Sequence, residues 1–142
     1  MPRIDSYQWI TINSDGQTVS SVTNGSRFKL NISPAIDLGG GNHEIALHSL
    51  TISPASVANR IFVYCNLAQP QHINNSKFSL VRAIGFSPVS STQSYELGNS
   101  LQWIRMMEVR NISEIEIQIA DSQGNDIQTT APTMLVFAIR DL

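Results

Sequence analysis

The stretch "EIEIQIA", residues 114–120, places an isoleucine at every second position and fills the positions between them with Glu or Gln. Successive side chains of a β-strand point to opposite faces of the sheet, so this pattern predicts a strand that is buried on one face only. A helix would need apolar residues three and four positions apart, and the stretch does not supply them.

The same two-residue period recurs along the chain, for example in "RFKLNI" at residues 27–32. It predicts eight strands, at residues 7–13, 27–32, 43–52, 61–67, 78–86, 102–109, 114–120 and 134–140. Gly, Asn and Asp are concentrated between several of these strands, as turns require. The segment "PASVAN", residues 54–59, is expected to form at most one helical turn.

Eight short strands in 142 residues indicate a single all-β domain over residues 1–142. Several connections are too long for tight hairpins and allow the chain to cross between two sheets. We therefore predict a single jelly-roll β-sandwich of about eight antiparallel strands in two sheets; a seven-stranded immunoglobulin-like sandwich is the alternative. In this interpretation the polar tract 69–76 carries the chain across one end of the sandwich.

Composition excludes several classes of protein. Charged residues make up only 14% of the chain, the net charge is −2, and no run of Lys or Arg suggests nucleic-acid binding. Cys65 is the only cysteine, so an intrachain disulfide is impossible. No apolar run approaches the ~20 residues of a membrane span. The opening "MPRIDSYQW" lacks the apolar centre of a signal peptide, so we expect a protein that folds in a reducing cytosol or nucleus and is not secreted.

No combination of residues predicts catalysis, a cofactor or a metal site. His43 and His48 lie five apart on one predicted strand and should face opposite ways, which argues against a shared metal and against a cupin-type enzyme. Glu114 and Glu116 share a face, and we interpret them as the polar side of an edge or outer strand rather than as an acid–base pair. Cys65 is expected to be a core residue.

The candidate functional residues are instead those of a subunit interface: Arg82, Arg105, Glu114 and Glu116. Both arginines alternate with apolar residues, so each would place a charge on an otherwise apolar face. The alternatives are a snorkelling stem and an arginine paired with a carboxylate at a contact between subunits. We expect Trp9 and Trp103 to anchor the core, with sugar stacking as the alternative.

Four blocks in this order resemble one known family. They are "FKLNISPAIDLGGGNHEIALHSLTISPAS" (28–56), "IFVYCNLAQPQHINNSKFSLVRAI" (61–84), "SEIEIQIADSQGNDI" (113–127) and "MLVFAIR" (134–140). The chain resembles the jelly-roll capsid proteins of virophages and of Polinton (Maverick) or adintovirus-like elements, and most of all their penton, or minor capsid, protein. The resemblance covers residues 28–140.

The resemblance implies a non-enzymatic structural subunit of a virion, without cofactor. Such a subunit assembles with itself, as a homopentamer or alternatively a trimer, and packs with a major capsid protein. It would be synthesised in the host cytoplasm or nucleus. The alternatives are a binding module of the same fold, such as a lectin-like or receptor-binding oligomer, and a host-genome copy of a capsid protein with another role.

Overall fold

The computed structural model of the chain describes residues 7–16, 19–24, 26–55, 60–73, 76–85 and 92–142. These residues form β-strands and contain no helix. The strands are β1 (Gln8–Asn13), β2 (Val19–Asn24), β3 (Arg27–Asp37), β4 (His43–Ile52), β5 (Arg60–Cys65), β6 (Gln71–Ile73), β7 (Ser76–Phe78), β8 (Leu80–Gly85), β9 (Gln93–Glu96), β10 (Ile104–Arg105), β11 (Asn111–Ala120) and β12 (Met134–Asp141). Among the described residues, none belongs to a helix that could span a bilayer.

Ten of these strands form two five-stranded antiparallel sheets, and β6 and β7 form a separate two-stranded sheet. Sheet A has the order β1–β12–β4, and β9 and β10 both pair with β4. Sheet B has the order β2–β3–β11–β5–β8. From β3 to β5, and again from β10 to β12, each successive strand lies in the other sheet. The chain therefore changes sheet repeatedly, and the prediction of an all-β sandwich with antiparallel strands in two sheets is confirmed.

One hydrophobic cluster joins the inner faces of the two sheets. In sheet B it contains Ile115, Ile117 and Ile119 of β11, all fully buried, and in sheet A it contains Leu135 and Phe137 of β12. The alternation predicted from residues 114–120 is therefore confirmed. Burial of apolar surface between stacked sheets contributes about 25 cal/mol for each Å² removed from water, and this stabilises the sandwich.

A β-bulge in β4 changes which residues face the core. Ile45 and Leu47 are buried at odd positions, whereas Leu50 and Ile52 are buried at even ones. The register against β12 shifts between these pairs, with Phe137 opposite Leu47 and Val136 opposite Ser49. Because His48 is the additional residue, His48 and Ser49 follow one another without a core residue between them. The predicted bounds of this strand, residues 43–52, are confirmed.

The interpretation of the tract 69–76 was wrong. β5 and β8, on either side of it, are antiparallel neighbours in sheet B, so the chain returns to the same sheet. Within the tract, β6 pairs with β7 as a separate two-stranded hairpin. Gln71 ties this hairpin to sheet B because its Nε2 donates a hydrogen bond to the Leu80 carbonyl at 3.0 Å.

Two other predictions about strands need revision, and one about a helical turn stays untested. β2 and β9 were not predicted, since "VSSVTN" and "QSYE" are short and mainly polar. The predicted strand 102–109 contains only the two residues of β10, followed by an isolated bridge from Met106 to Ala68. The helical turn expected at 54–59 lies largely outside the described residues, and Pro54 itself bridges to Thr129.

Replacing Ile117 with alanine tests the burial pattern of β11. Ile117 is fully buried, so Ile117→Ala should lower the free energy of unfolding by about 2–5 kcal/mol. The neighbouring exposed Glu116 provides the control, since Glu116→Ala should change stability by less than about 0.5 kcal/mol. Urea unfolding followed by tryptophan fluorescence measures both, and equal losses would contradict the assigned inner face.

Candidate functional site

Four aromatic or imidazole side chains meet on the outer face of sheet A. We call Tyr7, Trp9, His48 and Trp103 the aromatic patch. The Tyr7 ring lies 6.1 Å from that of Trp9 and 5.2 Å from that of Trp103 between centroids, and Trp9 lies 4.9 Å from His48. All three contacts are edge-to-face, a favoured geometry for aromatic pairs.

Two alanines explain why the patch lies here. Trp9 is in register with Ala138, and Ala138 is in register with Ala46 on the next strand. Both alanines alternate with core residues and so face outward, yet both are fully buried. Their small side chains leave room for larger ones above them, so Trp9 extends across β12 and its ring meets His48.

The bulge and a glycine position His48. The bulge directs this side chain outward, and a Cβ at Gly98 would lie 2.7 Å from the His48 Nε2 atom. The Leu97 amide also donates a hydrogen bond to the His48 carbonyl at 2.8 Å. Gly98 therefore allows the segment after β9 to approach the imidazole ring closely.

An ion pair supports the other end of the patch. Arg140 donates from Nε to the Glu44 Oε1 atom at 2.9 Å, and its Nη2 lies 2.8 Å from the same oxygen. The guanidinium carbon lies 4.1 Å from the centroid of the Trp103 ring, which is cation–π geometry. Arg140 thus fixes Trp103 from one side and leaves the patch charge-balanced at this end.

The prediction that both tryptophans anchor the core was wrong. Trp9 is 49% exposed, Trp103 is partly exposed, and neither belongs to the buried cluster. A signal was present in the sequence: "EIALH" and "VFAIR" each carry an alanine at an outward position between buried residues. Trp, Tyr and Arg on one surface are the residue types enriched at binding hot spots.

A second surface feature lies on the outer face of sheet B. It is a cleft of about 230 Å³ beside the β6–β7 hairpin, and we call it the hairpin cleft. Tyr64 and Phe78 line it with their rings 5.5 Å apart, and Phe78 is 41% exposed. Lys77 and Glu116 supply charges at the same cleft.

Asn66 creates the space for this cleft. Its Oδ1 accepts a hydrogen bond from the Glu116 amide at 2.9 Å, and its Nδ2 donates to the Glu114 carbonyl at 3.3 Å. The side chain thus takes the place of a backbone partner of β11 just beyond the end of β5. The chain is then free to leave the sheet and form the β6–β7 hairpin.

Cys65 is a core residue, as predicted. Its side chain is 1% exposed, and burial raises the pKa of the thiol to about 12. Cys65 is among the residues that line the cleft, but a protonated, buried thiol is a poor nucleophile.

The four predicted interface residues do not form one patch. Glu114 and Glu116 lie on β11, which β3 and β5 flank on both sides, so the expectation of an edge or outer strand was wrong. Glu114 pairs with Lys29 at 3.2 Å across the sheet. Glu116 alone of the two lines the hairpin cleft.

Arg82 and Arg105 lie in different sheets. Arg82, on β8, donates from Nη1 to the Ser100 carbonyl at 2.7 Å and so ties the edge of sheet B to the segment after β9. Arg105 is exposed on β10, opposite Glu44 in the register with β4. Neither arginine has a carboxylate partner among the described residues, and their role at a subunit interface stays a prediction.

The histidines of β4 face opposite ways. His43 is 5% exposed, and its Nε2 lies 3.1 Å from the Leu38 carbonyl and 2.9 Å from the Asp141 Oδ1 atom. His48 lies in the aromatic patch. Within the described ranges no group of three or more His, Cys, Asp or Glu residues is arranged to hold a metal ion.

Removing the Arg140 side chain tests the support of the patch. Arg140→Ala should lower the free energy of unfolding by about 1–2 kcal/mol, because an ion pair and a cation–π contact are both lost, and should change the emission of Trp103. Arg105→Ala is the matched control and should cost less than about 0.5 kcal/mol. Similar effects of the two changes would contradict the assigned contacts.

The raised pKa of Cys65 predicts a loss of stability at high pH. Above pH 9 the thiol of the unfolded chain ionises while the folded thiol stays protonated, so deprotonation favours unfolding until about pH 12. Relative to Cys65→Ala, the parent chain should lose up to about 1.4 kcal/mol of stability per pH unit in this window. Unfolding at pH 8 to 11 measures it; identical pH profiles of the two proteins would refute the assignment. Tyr64 and Tyr95, whose pKa values burial also raises, cancel in this comparison.

Comparisons with known proteins assign no family. No family model matches the chain, and no curated protein is similar to it. Among solved structures, the chain is similar to the crystal structure of a carbohydrate-binding module specific for non-crystalline cellulose (CBM28), with a TM-score of 0.30 and 10% identity. The match covers 90% of this chain and 71% of the other. At that TM-score the likeness carries no argument about function.

Proposed function

We propose that the protein is a non-enzymatic structural subunit that assembles with copies of itself into the vertex of a viral capsid or of a capsid-like shell. In this role it forms a ring, a pentamer or alternatively a trimer, and packs with a major capsid protein. The finished assembly is a virion component. The resemblance over residues 28–140 motivates the proposal, and the strand order carries it.

The strand order supports a jelly roll. Leaving aside β2, sheet A combines β1, β12, β4 and one interrupted edge strand made of β9 and β10, which pair with different parts of β4, while sheet B combines β3, β11, β5 and β8. Eight strands divided between two sheets, with chain connections that repeatedly change sheet, are what a jelly roll of two Greek keys requires. Single jelly rolls are common building units of viral capsids.

The composition of the surface supports assembly with other copies rather than the binding of a small ligand. The chain has few charges, and the centres of protein interfaces are depleted of Lys, Glu and Asp. Trp9 and Phe78, two of the largest exposed apolar side chains, lie on opposite outer faces of the sandwich. Each could be covered in a contact that buries ~800 Å² per partner.

A glycan-binding module of the same fold is the second candidate. The observation that favours it is the half-exposed Trp9, since exposed tryptophans can stack on sugars. The edge-to-face contacts of Trp9 with Tyr7 and His48 weigh against it, because these rings do not form one flat platform. We therefore rank assembly first.

Native mass spectrometry with negative-stain imaging of the purified chain tests the proposal. We expect closed rings with a defined number of subunits, whose population rises with protein concentration. A chain that stays monomeric over the full range of concentration and salt, alone and with a capsid partner, would overturn the proposal. If that monomer bound a glycan on an array and lost the binding in Trp9→Ala, the binding module would replace it.

A further inference from the structure

We propose that the aromatic patch of one copy docks in the hairpin cleft of a second copy, with Trp9 as the inserted side chain. This inference rests on the self-assembly proposed above and names the two surfaces that meet. It follows from their position, from their apolar chemistry and from the charges beside them.

The two surfaces face in opposite directions. The aromatic patch lies on the outer face of sheet A, and the hairpin cleft lies on the outer face of sheet B. A contact between two different surfaces is heterologous, so each docked copy still presents one free patch and one free cleft. Repetition of this contact closes a ring when the rotation between copies divides a full turn, and otherwise gives a filament.

The apolar chemistry of the two surfaces is complementary. Trp9 is held on a rigid sheet and is 49% exposed, while the cleft offers the neighbouring rings of Tyr64 and Phe78 and a volume of about 230 Å³. Burying Trp9 against these rings would remove apolar surface of both copies from water and add aromatic contacts. An exposed apolar side chain that fits a pre-existing pocket elsewhere on the molecule produces a head-to-tail contact between copies.

Charges of opposite sign accompany the two surfaces. Glu96 is exposed in register with Ser49, next to His48 of the patch. Lys77 lines the cleft together with Glu116 and with Arg27, which pairs with Asp126. Glu96 and Lys77 make no ion pair within the part of the chain that the structure describes. In the docked pair an acid beside the patch would meet a base beside the cleft, which sets the orientation and speeds association.

Mixing two assembly-deficient variants of the full chain tests the contact. Trp9→Ala lacks the inserted side chain but keeps its cleft, and Lys77→Glu/Phe78→Ala alters the cleft but keeps its patch. Each alone should associate at least about 30-fold more weakly than the parent chain, as removal of a hot spot implies. Mixed together, they should form a 1:1 dimer and nothing larger, because only one intact patch and one intact cleft can meet. Sedimentation velocity reads out both results.

Two controls separate this contact from loss of folding. Met134→Ala removes an equally apolar, 41% exposed side chain from the first residue of β12 and should assemble like the parent chain. Glu96→Lys and Lys77→Glu should each weaken association, and the double variant should restore it.

The outcomes distinguish this inference from the proposed function. If the parent chain assembles and Trp9→Ala assembles equally well, or if the mixed variants stay monomeric, the docking contact is overturned while assembly stands. If the parent chain itself never assembles, the proposed function fails and the contact fails with it. Glycan binding that is lost in Trp9→Ala, without assembly, has the same consequence.

Discussion

Every second side chain of the long strands is apolar and has to be removed from water, and the packing of two sheets face to face buries these side chains. A single sheet would expose Ile115, Ile117 and Ile119 of β11 to water on one of its faces. Against the inner side chains of β12 they form one continuous cluster. The outer faces are then left as broad surfaces that can contact other molecules, and both candidate sites lie there.

The sequence was informative where burial is one-sided. The bounds of β4 and the alternation of β11 were predicted because a strand buried on one face has an apolar residue at every second position. β2 and β9 were not predicted because short, mainly polar strands show no alternation of apolar and polar residues. The hairpin β6–β7 was missed for a different reason: each of its strands has only three residues, too few to show an alternating pattern.

Of the candidate site, the sequence supplied the components but not their arrangement. Trp9 and Trp103 are 94 positions apart, and only the pairing of β1, β12 and β4 brings the aromatic patch together. Size alone suggested that both belong in the core. The two buried, outward-facing alanines, Ala46 and Ala138, overturn that expectation, because larger side chains cover them on the outer face of sheet A. Arg82 was predicted at an interface because its neighbours in the strand are apolar, and only the structure shows its hydrogen bond to the Ser100 carbonyl.

Asn66 has a consequence beyond the cleft. A side-chain amide imitates a peptide group for β11, so sheet B keeps its central hydrogen bonds even though its neighbouring strand departs early. The β6–β7 hairpin is thereby released from pairing with β11. The length and composition of this hairpin can therefore change while β11 keeps its hydrogen-bond partners, so a change in what the hairpin cleft binds need not disturb the scaffold.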